Sequence, residues 1–253
     1  MVRKKWYDTI MDDFQGRLPP IKVIQERILS ITDDLTRIFC IISYLTGGRI
    51  SEIVNYKQEK CITKARRNEY GQVIKDSNTG KTIYDKVVRL DNELITFKGL
   101  KKGNITRELM VIKNELNKTK EELEVVRIVM RNEKNKTVHH KTIFAPYYFE
   151  KDLIDNLFNY LDHLGEDEVV ININRNIMYK SFRKYAGQLY YPHFIRALRV
   201  GVLLEVYEFN ETKIQSLMGW SDLRPIKDYY VFKKDKEILK HYIKKVKEVK
   251  SNV

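Results

Sequence analysis

Several side chains stand at spacings that suit chemistry on a phosphodiester. Arg49 lies in Thr46-Gly47-Gly48-Arg49-Ile50-Ser51-Glu52, His193 and Arg196 lie in His193-Phe194-Ile195-Arg196, and Leu217-Met218-Gly219-Trp220 is followed nine residues later by Tyr229. Arg49 and Arg196 offer planar, permanently charged forks that match the non-bridging oxygens of one phosphate. Fixed donors of this kind favour the charge that builds up in a five-coordinate transition state. His193 and Arg196 are three apart and follow Pro192, so a helix begun by the proline carries both on one face. The imidazole can then donate to the same phosphate or take up a proton. A tyrosine, with an ordinary pKa of about 10, becomes a usable nucleophile where two guanidiniums favour the phenolate. Such an attack on phosphorus requires no metal and no cofactor.

These residues need elements to hold them. After Pro19 and Pro20, Ile21, Ile24, Ile28 and Ile31 recur at helical spacing and predict a first helix ending near Ser30. Thr32 is placed to cap a second helix, with Asp33 and Asp34 near its positive end and Leu35, Ile38, Phe39, Ile42 and Leu45 on its buried face. Gly47 and Gly48 stop it, and Ser51 is placed to cap a short helix with Ile53 and Val54. Arg49 is thereby held in a tight junction between two helices. From residue 57 to 112 the pattern turns to short β-type runs. Residues 72–75 and 81–85 flank Asp76-Ser77-Asn78-Thr79-Gly80 as a hairpin insertion, and 86–90, 94–98 and 105–112 read as a three-stranded meander. Residues 119–130 admit two readings, a helix begun by a Thr119/Glu122 capping box or a β-branched strand. Helical stripes follow at 153–161, 177–189, 193–207, 212–218 and 223–231. A last amphipathic helix over 235–249 carries Ile238, Leu239, Tyr242, Ile243 and Val246 opposite lysines.

The chain has 253 residues and 47 Lys+Arg against 34 Asp+Glu, a net charge of +13, which points to a polyanionic partner: nucleic acid first, an acidic membrane surface second. With 43% hydrophobic residues, a core is affordable and intrinsic disorder is excluded. No run approaches the roughly 20 apolar residues that span a bilayer. Asp8, Asp12 and Asp13 stand where a signal peptide needs an apolar stretch. Cys40 and Cys61 lack metal-site or redox spacing and read as free thiols in a reducing compartment. Two motifs are decoys. Asn78-Thr79-Gly80-Lys81-Thr82 ends like a phosphate-cradling loop, but Lys75 stands where its first glycine belongs. His139 and His140 are adjacent, so on a strand they diverge, and no Cys or Glu completes a metal set. No internal repeat occurs, and the chain reads as one α+β domain.

Together the three boxes resemble the catalytic domain of the tyrosine recombinases, the family of phage-type integrases and Xer-type resolvases. The resemblance runs from about Asp33 to Val231 and is close only in the boxes. It implies a mostly helical α+β catalytic domain with a small antiparallel sheet inserted, over 33–232. Residues 1–32 are then a lead-in with the first helix, and 233–253 a basic amphipathic helix suited to docking on a neighbouring protomer or on its own domain. The family carries a separate helical domain ahead of the catalytic one, whereas 48 residues precede Arg49 here. That fits either a fragment of a longer integrase or a short recombinase.

The implied activity is site-specific DNA recombination: cleavage and rejoining of double-stranded DNA through a 3′-phosphotyrosine intermediate, without metal, by protomers that assemble as a tetramer on two DNA sites. The implied location is the cytoplasm, beside a chromosome or mobile element. The nine-residue spacing selects Tyr229 over its neighbour Tyr230, and Trp220 occupies a position that is histidine in many members. The family's general acid is a lysine in a turn between two strands. Lys102 in Lys102-Gly103-Asn104 resembles it, with Lys101 beside it, and Lys134-Asn135-Lys136 is a rival turn. Two other activities share these residues: nicking and resealing in the manner of a type IB topoisomerase, and DNA binding without turnover.

Overall fold

The computed structural model describes residues 19–59, 61–88, 94–113, 120–132, 139–189 and 191–218. Helix α1 (Ile21–Leu29) starts after Pro20 and buries Ile24 and Ile28. Helix α2 (Asp34–Thr46) follows. Its cap is Asp33 rather than Thr32: the Asp33 carboxylate accepts from the Thr36 amide at 2.9 Å and the Thr36 hydroxyl at 2.6 Å. A carboxylate adds charge to the cap hydrogen bond at the positive helix end, which a hydroxyl cannot do. Ile38, Phe39, Ile41, Ile42, Tyr44 and Leu45 of α2 are all fully buried. At roughly 1.5–3 kcal/mol per buried side chain, this helix is the centre of the core.

Gly47 ends α2 in the left-handed region at φ 59°, and helix α3 (Ile50–Ile53) begins three residues later. Ser51 does not cap it. Arg49 occupies the cap position, and Ser51, two residues later, is buried inside the helix.

The β segments pair differently from the expected meander. Strand β1 (Tyr56–Glu59) pairs antiparallel with β4 (Leu94–Phe97), and β2 (Cys61–Ala65) with β3 (Tyr84–Val88). Strand β5 (Ile105–Lys113) joins β6 (Lys120–Asn132) and β7 (His139–Pro146) in an antiparallel three-stranded sheet, order β5-β6-β7. Strands β3, β4 and β5, which the expected meander joined, therefore serve three different sheets. Each found a partner outside the trio. The segment with two readings is strand: Val126, Ile128 and Met130 alternate into the core, a period of two that a helix cannot use. The hairpin around Asp76 forms as expected, with Lys75 bridging Thr82 and Gly80 at φ 66°.

Helix α4 (Tyr147–Leu161) presses Leu153, Ile154, Leu157 and Leu161 onto the core. The stripe expected over 177–189 is helix α5 (Arg175–Tyr185) followed by a short 3-10 turn, because Gly187 at φ 47° breaks it. Helix α6 (Pro192–Glu205) has its proline in the first turn, and α7 (Glu211–Met218) packs on it through Val200, Leu203, Leu204, Ile214 and Met218. The fold is α+β, with the sheet set against the helices. The expected elements over 223–231 and 235–249, and the segment 1–18, lie outside the described residues.

Candidate active site

The turn that presents Arg49 is built by its neighbours. The Gly48 amide donates to the Thr46 hydroxyl at 2.9 Å, that hydroxyl donates to the Ile42 carbonyl at 2.6 Å, and the Ser43 hydroxyl donates to the Gly48 carbonyl at 3.2 Å. Both glycines sit where a Cβ would make a neighbouring side chain move, and Gly47 also has φ 59°. A Cβ on Gly47 would lie 2.5 Å from the Met218 side chain, and one on Gly48 would lie 2.8 Å from Met130 Cε.

Arg49 then meets Glu52. The Glu52 carboxylate accepts from the Arg49 amide at 2.9 Å and from Arg49 Nη1 at 3.1 Å. A second cation reaches the same carboxylate from the sheet: Lys141 Nζ donates to Glu52 Oε2 at 3.0 Å. Arg131 on β6 donates to the Ser51 carbonyl at 3.0 Å. Burial opposes ionisation of Glu52, but Lys141, the Arg49 amide, Arg196 and Arg49 together outweigh it and hold its pKa below the usual value. Burial, and next the positive charge of Arg196 and Arg49, bring Lys141 down to about 8 against the pull of Glu52. Lys141 belongs to none of the three sequence boxes. Its signal was the alternation Lys141, Ile143, Ala145 along β7, which puts a lysine on the inward face with two buried apolar residues.

Arg196 ties the boxes together. Its guanidinium donates from Nη1 to the Gly47 carbonyl and from Nη2 to the Met218 carbonyl at 3.2 Å. It is 2% exposed, so it faces the inside of the site, whereas the Arg49 side chain keeps 20% of its surface open. One turn back on α6, His193 is exposed and lines a small cleft with Gly48, Arg49, Ile50, Tyr179 and Pro192. Desolvation first, then the charges of Arg196, Arg49 and Arg175, hold its imidazole below the usual histidine pKa. The ring is therefore biased toward the neutral form, which can accept a proton. Arg175, absent from the motif reading, lies 5.7 Å from the centre of the Tyr179 ring beside this cleft.

The chain matches no family model, no curated protein and no solved structure.

The lysines expected in the site are elsewhere. Lys101 pairs with Asp167 at 2.8 Å and lines a different cleft with Asn55, Lys98 and Asn172. Lys102 donates to the Leu164 carbonyl at 2.9 Å and pairs with Glu166 at 3.1 Å. Asp167 and Glu166 are highly exposed, so solvent screens these ion pairs and they hold their lysines weakly. The rival Lys134 and Lys136, together with Trp220, Tyr229 and Tyr230, lie outside the described residues. The strand ends next to the rival turn do touch the Arg49 junction, through Arg131 and Lys141. Among the described residues no group of three metal-ligating side chains occurs, and no helix is long and apolar enough to cross a membrane.

Proposed function

We propose that this chain is a tyrosine-recombinase-type catalytic domain, which cleaves and rejoins DNA strands through a 3′-phosphotyrosine intermediate in site-specific recombination. The observation that carries the reading is the pair of hydrogen bonds that Arg196 donates to the carbonyls of Gly47 and Met218. One buried guanidinium joins the junction of Arg49, the helix of His193 and the end of the helix that leads into Gly219-Trp220. Gly47, Arg196 and Met218, one residue from each of three boxes spread over the chain, thus meet at one guanidinium, which supports a single phosphate-binding centre.

In this reading Arg49, at the open side of the cleft, holds the scissile phosphate, and Arg196 adds positive charge from beneath. His193, kept neutral, accepts the phenol proton or donates to a phosphate oxygen. The Tyr229 oxygen attacks phosphorus, the bond from phosphorus to the 5′ oxygen breaks, and the departing oxygen takes a proton from a lysine of the rival turn, Lys134 or Lys136, whose flanking strands touch the Arg49 junction. Religation is the reverse. DNA is the partner, with protomers assembling on two sites.

The test is covalent trapping on a nicked suicide duplex in EDTA. The expected result is a protein–DNA adduct that survives denaturation, is lost in Tyr229→Phe and persists in Tyr230→Phe. Arg49→Ala should reduce adduct formation by at least 100-fold, the loss typical of one transition-state donor. Binding to DNA without any adduct from the wild type would overturn the catalytic reading. Sequence-independent supercoil relaxation would assign the type IB activity instead.

A further inference from the structure

Residues 66–84 form a projecting tip that supports nothing in the core. None of them is buried, and only Ile74, Asp76, Thr82 and Ile83 are even half-buried. The tip sits at the end of two successive two-stranded ladders, β1/β4 and β2/β3, that leave the body just after α3. A bare hairpin is marginally stable in water, so a chain that keeps one extended has a use for its surface.

Both turns of the tip are locked by side chains. The Asn68 side-chain oxygen accepts from the amides of Tyr70 and Gln72 at 3.0 and 2.9 Å. The Asp76 carboxylate accepts from the amides of Asn78 and Thr79 and from the Thr79 hydroxyl, at 2.8–3.0 Å. These bonds make a preorganised shape that loses little entropy on docking. The outward side chains are of two kinds. Arg66, Arg67, Lys75 and Lys81 are exposed cations, against Glu69 and an Asp76 that is turned into its own loop. Tyr70 and Tyr84 stand 79% and 60% exposed among them. Cations interleaved with exposed aromatics suit a phosphate backbone and its sugars. A two-stranded ribbon also has the width that the major groove of B-DNA admits, about 12 Å.

We propose that this tip is a second DNA-binding surface, separate from the Arg49 cleft, which grips the duplex backbone. The proposal rests on the DNA reading above and adds a site to it. The partner is duplex DNA, chosen over a protein partner because the exposed charge is cationic within a chain of net charge +13.

The experiment is a salt titration of binding of the full chain to a random-sequence duplex of about 30 base pairs, read by fluorescence anisotropy. Wild type is compared with Arg66→Gln, Arg67→Gln, Lys75→Gln and Lys81→Gln combined, and with a charge-matched control, Lys22→Gln, Lys151→Gln, Lys184→Gln and Lys213→Gln, all exposed residues of the body. At about 0.9 per lost phosphate contact, the log–log salt slope of the tip variant should shrink by roughly 2 to 4, with the melting temperature unchanged. Affinity near 100 mM salt should fall tenfold or more beyond the control. Tyr70→Ser with Tyr84→Ser should weaken binding without changing the slope. A tip variant indistinguishable from the control, while wild type still shows a steep slope, would overturn the tip and leave the recombinase reading standing. No salt-dependent binding by the wild type would bring down both. Intact DNA affinity with lost self-association in light scattering would assign the tip to a second copy of the chain.

Discussion

At the scale of single residues, the buried Lys141–Glu52 pair decides how Arg49 is held. Glu52 takes hydrogen bonds from both the backbone and the side chain of Arg49, and Lys141 reaches the same carboxylate from the sheet. Lys141→Met leaves that carboxylate short of a partner, and the expected cost is about 3–5 kcal/mol in urea unfolding, as for other broken buried pairs. The pH dependence has a definite sign. Lys141 titrates near 8 when folded and in the ordinary lysine range when unfolded, so between these values the unfolded chain binds the extra proton. Its contribution therefore makes stability rise with pH across that window, and the gap between wild type and Lys141→Met should widen from pH 8 to pH 10. A gap that narrows would show that the lysine is not depressed. Of the residues around Arg49, Arg196 and His193 were legible because their box is local. Lys141 was not, since its role depends on a strand face and on a partner 89 positions away.

At the scale of elements, the Gly47-Gly48 junction was readable as a helix stop, and the reason for both glycines was not. Gly47 combines φ 59° with a Met218 side chain 2.5 Å from where a Cβ would stand. Gly80, at φ 66°, has nothing within 4 Å. Gly47→Ala should thus cost the left-handed penalty of about 1–2 kcal/mol plus the shift of Met218, and should disturb the site. Gly80→Ala should cost only the first. Calorimetric melting of the two variants separates the contributions, and equal losses would refute the packing role of Gly47. The expected meander failed for a related reason. Short runs rich in β-branched residues announce strands, but nothing local says which strand each will choose. Strand β6 shows the converse: its inward alternation of Val126, Ile128 and Met130 was present in the sequence, beside a helix-like start that competed with it.

At the scale of the whole molecule, a second buried network fastens the helices. Glu150 accepts from Arg199 at 2.6 Å, from the Tyr207 hydroxyl at 2.8 Å and from the Gln25 amide at 2.8 Å, drawing α1, α4 and α6 onto one carboxylate. The Arg199 guanidinium also lies 5.3 Å from the centre of the Tyr44 ring on α2. Glu150→Ala strands a fully buried arginine and should cost about 3–5 kcal/mol, whereas Glu150→Leu with Arg199→Met should recover much of that loss. A double variant as unstable as the single one would assign the cost to lost packing. Arg196 has a consequence of a different order. The hydrogen bond to Gly47 spans 149 positions, so it closes a very long loop, and the one to Met218 adds a further stretch of chain. Contacts of such sequence separation form late, after the entropy of loop closure has been met. A nascent or half-folded chain with its early helices in place would still have no assembled centre. The Arg49–Arg196 centre, and whatever chemistry it carries, is thereby reserved for molecules that have finished folding.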